Sequence, residues 1–172
     1  MNLKLTTCTL RDWQEGDEES LVRYASNKKI WDNVRDIFPY PYTPEDAVWW
    51  VQTGSKQPGT LNIAVEVEGK AVGGIGFLFK EDIYRRTAEI GYWLGEEFWG
   101  LGIMTEAIRA ATEYVFTNYD ICRIYACVFE WNPASMRVLE KSEYQFEARL
   151  RKNVTKNGVA IDELIYAVIR EK

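Results

Sequence analysis

The chain has 172 residues, of which 47% are hydrophobic, and its 21 basic and 26 acidic residues leave a formal net charge of −5. This length predicts one domain, residues 1–172, with a proper hydrophobic core. The interspersed acidic charge argues against nucleic acid as a partner and mildly favours cationic partners. No apolar run reaches the about 18 residues of a membrane-spanning helix, and no signal-peptide pattern occurs. We therefore expect a cytoplasmic protein without a membrane partner.

The absence of histidine excludes Ser-His-Asp and Cys-His catalysis and most zinc sites. The three cysteines, Cys8, Cys122 and Cys127, have neither a metal-ligand spacing nor a C-x-x-C pattern. We expect reduced, buried thiols and no metal site. Any proton transfer must then use Glu, Asp, Tyr, Lys, Ser, Cys or water.

The first third of the chain is predicted to contain one strand and two helices. Alternation of apolar and polar residues predicts a strand over residues 3–10. Asp17 is expected to cap the helix that follows. Residues 33–42 are expected to be irregular. Thr43, with Pro44 at the first helical position, predicts the start of the second helix.

The rest of the chain is predicted to alternate strands and helices. Strands are expected over residues 61–67, 70–79 and 86–95, with a two-residue turn at Glu68-Gly69. A helix (about 103–117), a strand (122–129), a helix (133–142) and a hairpin (145–154 and 159–169, turning at Asn157-Gly158) are expected to follow. The order, β-α-α-β-β-β-α-β-α-β-β, predicts an α+β fold with one mixed sheet flanked by helices.

The most informative segment is a glycine-punctuated turn between a strand and a helix. The apolar run 88–95 precedes Gly100 and Gly102, and a helix is expected from about Ile103. Unpaired backbone N–H groups at a helix N-terminus favour an anion, most often a phosphate, and glycine keeps its approach open. No Lys follows these glycines, which excludes a P-loop, and Thr105 replaces the third glycine of a dinucleotide fingerprint.

A second glycine cluster, Gly73-Gly74-Ile75-Gly76, has no helix after it. It lies inside a run that is predicted to be a strand. Glycine within a strand is typical of a bulge or of a close approach by another group. We therefore expect a bulged or closely approached strand there, with no phosphate-binding role.

The segment from Ala88 to Ala107 resembles motif A of the GNAT acetyltransferase superfamily, whose Gln/Arg-x-x-Gly-x-Gly/Ala turn binds the pyrophosphate of acetyl-CoA. Trp99 stands at the Gln/Arg position, Gly102 at the first Gly and Met104 at the Gly/Ala position. The larger Met104 side chain predicts a tighter cradle there. Trp-Gly-x-Gly followed by Thr-Glu-Ala is similar to the RimJ/RimL branch, whose best-known members acetylate the N-termini of ribosomal proteins.

The resemblance extends over roughly residues 3–170. Residues 132–141 resemble the second CoA-contacting helix of the family, and Arg149, Gly158 and Asp162 match its closing hairpin. It implies the GNAT fold: one mixed, mostly antiparallel sheet of six to seven strands, splayed at its centre and flanked by about four helices. Acetyl-CoA, the implied co-substrate, would enter between the two parallel strands that splay apart.

The resemblance also implies which residues bind acetyl-CoA. Backbone groups of the turn would hold the pyrophosphate, backbone groups of the preceding strand would hold the pantetheine arm, and two side chains of the second helix would contribute. The expected set is Tyr92, Trp93, Leu94, Trp99, Gly100, Leu101, Gly102, Ile103, Met104, Thr105, Asn132 and Ser135. Asn132 has a second interpretation as the cap of the helix that begins at Pro133, and both roles are compatible.

Two residues are the expected catalytic groups. Many GNAT enzymes protonate the leaving thiolate with a Tyr seven residues after the Asn, but Leu139 stands there. Ser135, one helical turn earlier, is the expected donor to the thiolate, with a surface serine as the alternative. Glu89 is the expected general base, provided that partial burial raises its pKa. The alternative for Glu89 is a cross-strand partner of Arg85 or Arg86.

Together these features predict an acetyl-CoA-dependent N-acetyltransferase that acts on a primary amine: a protein N-terminus, a polyamine, an aminoglycoside-like drug or a small metabolite. The aromatic segment Trp31–Tyr42, which includes Arg35 and Asp36, would wall the acceptor site or only pin a loop onto the core. The missing Tyr leaves a catalytically weak acyl-CoA-binding or regulatory module as the alternative. A longer acyl group would require room beside Trp93 and Met104. We expect a monomer or a homodimer.

Overall fold

The computed structural model describes residues 1–170, and residues 171 and 172 of the expected domain lie outside the described residues. The strands are β1 (Asn2–Lys4), β2 (Thr9–Asp12), β3 (Thr60–Val67), β4 (Lys70–Phe79), β5 (Thr87–Leu94), β6 (Arg123–Phe129), β7 (Gln145–Lys156) and β8 (Val159–Ile169). The α-helices are α1 (Glu18–Ala25), α2 (Lys28–Trp31), α3 (Pro44–Gln52), α4 (Ile103–Asn118) and α5 (Pro133–Lys141). The strands form one sheet in the order β1-β2-β3-β4-β5-β6-β8-β7.

The expected α+β class and mixed sheet are confirmed, but the described chain has eight strands and five α-helices, more than expected. The single strand expected over residues 3–10 is the hairpin of β1 and β2. The Leu5 N–H donates to the Cys8 carbonyl at 2.8 Å and closes a turn between them. Helix α2 was not predicted because its four residues are too few to show a helical period.

Local turn chemistry agrees with most of the predicted boundaries. Thr43 caps α3 in a reciprocal capping box with Asp46. The turns at Glu68-Gly69 and Asn157-Gly158 have positive φ at both residues, as two-residue hairpins require. Asp17 is different. It stands at the N-cap of α1 without a capping hydrogen bond, because its carboxylate binds the buried Arg11 guanidinium at 2.7 and 2.8 Å.

Helices and loops cover the two faces of the sheet differently. One face, here called the helix face, packs against α4 and α5 in the larger core cluster, which includes Ile75, Phe77, Ile90, Ala107, Ile108, Ala111 and Leu139. The other face, the loop face, lies under α1, α3 and the irregular segment 33–42 in a smaller cluster with Trp13, Leu21, Ala47 and Val51. Strand alternation therefore puts Tyr92 on the helix face and Glu89 on the loop face.

The sheet divides between its two parallel strands. β5 and β6 pair from Thr87 opposite Arg123 to Ile90 opposite Ala126. Beyond that point the two strands pair only with their outer neighbours, β4 and β8. Their facing edges, residues 91–94 and 127–129, form the two sides of a wedge, which confirms the expected splay.

The glycine cluster of β4 allows a close approach by β5. A Cβ atom on Gly73 would lie 2.6 Å from the Trp93 carbonyl oxygen, and one on Gly74 would lie 2.9 Å from the Trp93 indole nitrogen. A register shift opposite this cluster, between Val65 and Glu66, adds a bulge. The prediction of a bulged or closely approached strand is confirmed. Within residues 1–170, no helix is long and apolar enough to cross a membrane.

Candidate active site

A cleft of about 1460 Å³ follows the wedge between β5 and β6. Its walls come from the N-terminus of α4, from α5, from the separated strand ends and from the segment 29–42. Ligand pockets commonly have volumes of about 300–1,000 Å³. The cleft therefore has room for the arm of a cofactor and for a second substrate.

The turn before α4 has the geometry of an anion site. Gly100 and Gly102 have φ values of 76° and 79°, which L side chains rarely adopt, and no atom lies within 4 Å of a Cβ built on either glycine. The first helical hydrogen bond runs from Glu106 N–H to the Gly102 carbonyl at 3.1 Å. The preceding N–H groups of Ile103, Met104 and Thr105 have no acceptor inside the helix. They can bind a phosphate at a positive helix end.

Two side chains of the first turn of α4 are anchored in other parts of the domain. Met104 is buried in the larger core cluster and also lines the cleft, so the expected tighter cradle stays a prediction. Glu106 is the acidic residue of this turn. Its carboxylate accepts the N–H groups of Thr6 and Thr7 at 2.8 and 2.9 Å. These bonds tie the acidic group to the β1–β2 turn.

Trp99 closes the turn onto β5. Its indole N–H donates to the Leu94 carbonyl at 2.7 Å. An indole thus occupies the position where the family pattern has Gln or Arg, and it fixes the path of the chain into the turn. One lone pair of the Leu94 carbonyl is used internally, and the Trp93 carbonyl faces Gly73 of β4, so the backbone of Tyr92 remains the freer part of the predicted pantetheine contact.

Asn132 and Ser135 lie together at the start of α5, and both line the cleft. The Asn132 side chain accepts the Ser135 N–H at 3.1 Å, so its capping role is confirmed. Ser135 is half-buried, and its Oγ lies 2.6 Å from the Tyr92 hydroxyl. Burial raises the pKa of Tyr92, which keeps this phenol protonated. Leu139 is fully buried in the larger core cluster.

Glu89 is held by cations from two directions. Its carboxylate accepts hydrogen bonds from Lys80 Nζ at 2.8 Å, from the Tyr125 hydroxyl at 3.1 Å and from the Arg35 guanidinium. Burial raises the pKa of Glu89, but the Lys80 hydrogen bond, the charges of Arg35 and Lys80 and the Tyr125 hydroxyl together outweigh it. The pKa is therefore lowered from 4.5, and the expectation of a raised value is wrong.

The expected cation partners of Glu89 are also wrong. Arg85 donates to the Asp82 carbonyl at 3.2 Å, and Arg86 pairs with Asp120 at 3.3 Å. Neither appears among the residues that bind the Glu89 carboxylate. Arg35, from the irregular segment, takes that place because the loop folds over the face that carries Glu89.

A second carboxylate, which the sequence did not reveal, faces the same side of the wedge. Glu163 of β8 lies opposite Phe129 of β6 and lines the cleft on the loop face. The Asn153 amide donates to it at 2.7 Å, and no Lys or Arg within residues 1–170 lies within salt-bridge distance. Its neighbour Asp162, which matches the family ending, is instead bound by Arg149 and by the Lys152 N–H.

Cys127 is the thiol of the cleft wall. It lies on β6 just beyond the point where the strands separate. Burial, with the nearby charges of Glu163 and Glu89, raises its pKa to about 12. A protonated thiol is a poor nucleophile. The site therefore favours direct transfer between two bound substrates over a covalent intermediate on Cys127.

Comparison with known proteins identifies the family. Residues 8–145 match the family described as the acetyltransferase (GNAT) domain. The chain belongs to the GNAT acetyltransferase family. The expected N-acetyltransferase class and acetyl-CoA co-substrate are confirmed at the level of this family.

Individual relatives support the RimJ/RimL branch of the GNAT family. RimL, a ribosomal L7/L12 alpha-N-protein acetyltransferase solved with coenzyme A, superposes with a TM-score of 0.87, at 25% identity and over 98% of each chain. The uncharacterized N-acetyltransferase p20 of Bacillus licheniformis is 28% identical over 95% of this chain and 93% of its own length. The probable N-acetyltransferase YjcK of Bacillus subtilis (strain 168) is 45% identical, but over 49% of this chain and only 46% of its own length.

The aromatic segment of this GNAT domain lines the cleft and is fastened to the rest of the domain. Phe38 lines the cleft and packs on Trp93, with ring centroids 5.8 Å apart. Lys156, from the end of β7, is almost fully buried. Its Nζ lies 2.5 Å from Asp36 and 3.5 Å from the centroid of the Trp31 ring. The fastened loop is therefore confirmed, and its role as a wall of the acceptor site stays a prediction.

Lys156→Met is expected to loosen this acceptor wall. The variant keeps most of the apolar stem but loses the ion pair to Asp36 and the cation–π contact with Trp31. We expect KM for the acceptor to rise about tenfold while CoA affinity is unchanged. Steady-state kinetics and calorimetry with CoA measure the two effects. Lys152→Met, on the same hairpin, is the matched control, and an equal rise in that variant would contradict the assignment.

Proposed function

We propose that the protein transfers the acetyl group of acetyl-CoA to the α-amine of a protein or peptide N-terminus. The main support is the lining of the cleft, which includes residues from both faces of the sheet. Its rim on the loop face carries large apolar side chains, with Ile37 90% and Trp49 53% exposed. An extended chain could bury these side chains, whereas a small metabolite would leave most of them in water.

The proposed reaction uses the two faces of the wedge for different tasks. The N-terminus of α4 binds the pyrophosphate, and the free edges of β5 and β6 guide the pantetheine arm. Bound acetyl-CoA supplies an activated thioester. The amine approaches from the loop face, where Glu89 and Glu163 lie, and the separated strand ends hold it in line with the acetyl carbon.

The proton of the incoming ammonium leaves on the loop face. Glu89 stays ionised and its hydrogen-bonding capacity is largely used by Arg35, Lys80 and Tyr125, so we assign it an electrostatic role that includes proton acceptance through water. Glu163 has no basic partner within the described residues and is the second candidate base. Ser135, on the opposite wall, faces the departing sulfur.

A panel of amines tests the proposed acceptor. Acetyl-CoA consumption is measured with a short peptide that has a free α-amine and with a lysine-containing version whose N-terminus is formylated. Spermidine, kanamycin and free amino acids complete the panel. We expect the free α-amine peptide to give a kcat/KM at least about tenfold above every other amine. Faster turnover of a small amine would overturn the peptide assignment. Tight CoA binding without turnover of any amine would favour the acyl-CoA-binding module. The cytoplasmic location and the monomeric or dimeric state stay predictions.

A further inference from the structure

At the position where many GNAT enzymes have a tyrosine that protonates the thiolate, this chain has a residue that cannot donate a proton. Leu139 carries no ionisable group and is fully buried in the core. One helical turn earlier, Ser135 has a hydroxyl in the cleft wall, but an isolated serine rotates freely and is a weak donor. Either the thiolate leaves with little help, or another group directs the serine.

Tyr92 is that group in the structure. It reaches Ser135 from β5, across the wedge, and its hydroxyl lies 2.6 Å from Ser135 Oγ and 3.3 Å from the Ser135 carbonyl. The Asn132 side chain fixes the Ser135 N–H from the other side. Ser135 is thus held at its N–H by Asn132 and at its Oγ by Tyr92, and both hydroxyl-bearing residues line the cleft.

We propose that Tyr92 is a positioning residue that donates its hydroxyl hydrogen to Ser135 Oγ and so directs the Ser135 O–H at the thioester sulfur. This proposal rests on the proposed acetyl transfer. The amine nitrogen bonds to the acetyl carbon, the C–S bond breaks with its electron pair on sulfur, and the nitrogen's proton passes to the loop-face carboxylates and water. The sulfur leaves as a thiolate that accepts the Ser135 hydrogen bond and later takes a proton from solvent.

Two linked hydroxyls stabilise a developing thiolate more than one does. Each hydrogen bond in a chain polarises the next, so the Tyr92 donor strengthens the Ser135 donor. The hydroxyls act by hydrogen bonding and keep their own protons. Because burial holds Tyr92 protonated, its contribution stays constant over the whole pH range in which the enzyme is assayed.

Tyr92→Phe tests the proposal, with Ser135→Ala, the double variant and Tyr144→Phe for comparison. Tyr144 is a matched control because its buried hydroxyl also binds a hydroxyl, that of Thr112 at 2.8 Å, and neither residue lines the cleft. We expect Tyr92→Phe to lower kcat about tenfold by the same factor at every pH, with CoA affinity within about twofold of the parent. Tyr144→Phe should keep the parent kcat.

The double-variant comparison separates positioning from a structural role. We expect Tyr92→Phe to have no further effect in the Ser135→Ala background, because the hydroxyl it directs is gone. An unchanged kcat in Tyr92→Phe, or losses that multiply in the double variant, would overturn the proposal. The assays use the best amine of the panel. If no amine is acetylated, that result contradicts the proposed function but not the role of Tyr92. Single-turnover hydrolysis of acetyl-CoA breaks the same C–S bond and still tests Tyr92.

Discussion

Gly102→Asp is expected to weaken CoA binding at least about 100-fold. The substitution places a carboxylate at the N-terminus of α4, where the pyrophosphate would bind. Two like charges at about 4 Å repel by roughly 4 kcal/mol at an effective dielectric constant of 20, and about 2.8 kcal/mol already corresponds to 100-fold. The φ of 79° adds strain for any residue with a Cβ atom. Calorimetric titration with CoA measures the loss.

Two control variants separate charge from strain at this position. Gly102→Asn has nearly the size of Asp, tolerates positive φ and adds no charge, so it should lose much less affinity. Gly69→Asp has the same charge and a similar φ of 78° in a hairpin turn outside the cleft, and it should bind CoA normally. Unchanged affinity in Gly102→Asp would show that the anion site lies elsewhere.

Glu89→Gln is expected to lower kcat/KM about 100-fold near neutral pH. The variant keeps the size of the side chain but leaves Arg35 and Lys80 without a countercharge beside the incoming ammonium. The rate should recover partly as the pH rises, because the acceptor then arrives as a neutral amine that is neither repelled nor in need of a base. Initial rates over a pH series test this expectation.

The lowered pKa of Glu89 also fixes the sign of two pH effects. The carboxylate is ionised at every pH above its ordinary value of 4.5, so a rise in the parent's rate above that pH does not report the ionisation of Glu89. The stability that its ion pairs contribute is complete above that value and is lost as the pH falls through the lowered folded-state pKa. Glu147→Gln, which breaks an ion pair with Arg123 outside the cleft, is the matched control. If Glu147→Gln lowers the rate as much as Glu89→Gln does, the electrostatic role assigned to Glu89 is wrong.

Local sequence signals predicted the parts of the site that depend on the backbone. The open glycine turn at Gly100 and Gly102, the strand before it, the helix after it and the cap at Asn132 follow from residue type and period. Such features need only neighbours within a few positions of the chain. For the same reason, the hairpin turns at Glu68-Gly69 and Asn157-Gly158 were predictable.

Side-chain partners across long sequence separations were not predictable. Arg35 binds Glu89 over 54 positions, and Lys156 binds Asp36 over 120. Both contacts depend on the path of the irregular segment, whose apolar residues follow neither a helical nor a strand period. The Tyr92–Ser135 contact joins a strand to a helix over 43 positions. Glu163 was missed because its position in the cleft follows from the register of β8 against β6.

The division of the sheet at β5 and β6 has a consequence for the order of events in a catalytic cycle. The N-terminus of α4 and the hydroxyl pair lie on the helix face, whereas the carboxylates and the aromatic segment lie on the loop face. In the proposed reaction each substrate therefore enters the wedge from its own face, and the acetamide product can leave before the thiol product. Direct transfer, as proposed, needs both substrates in the cleft at once, and separate entrances let this ternary complex form without one substrate blocking the other.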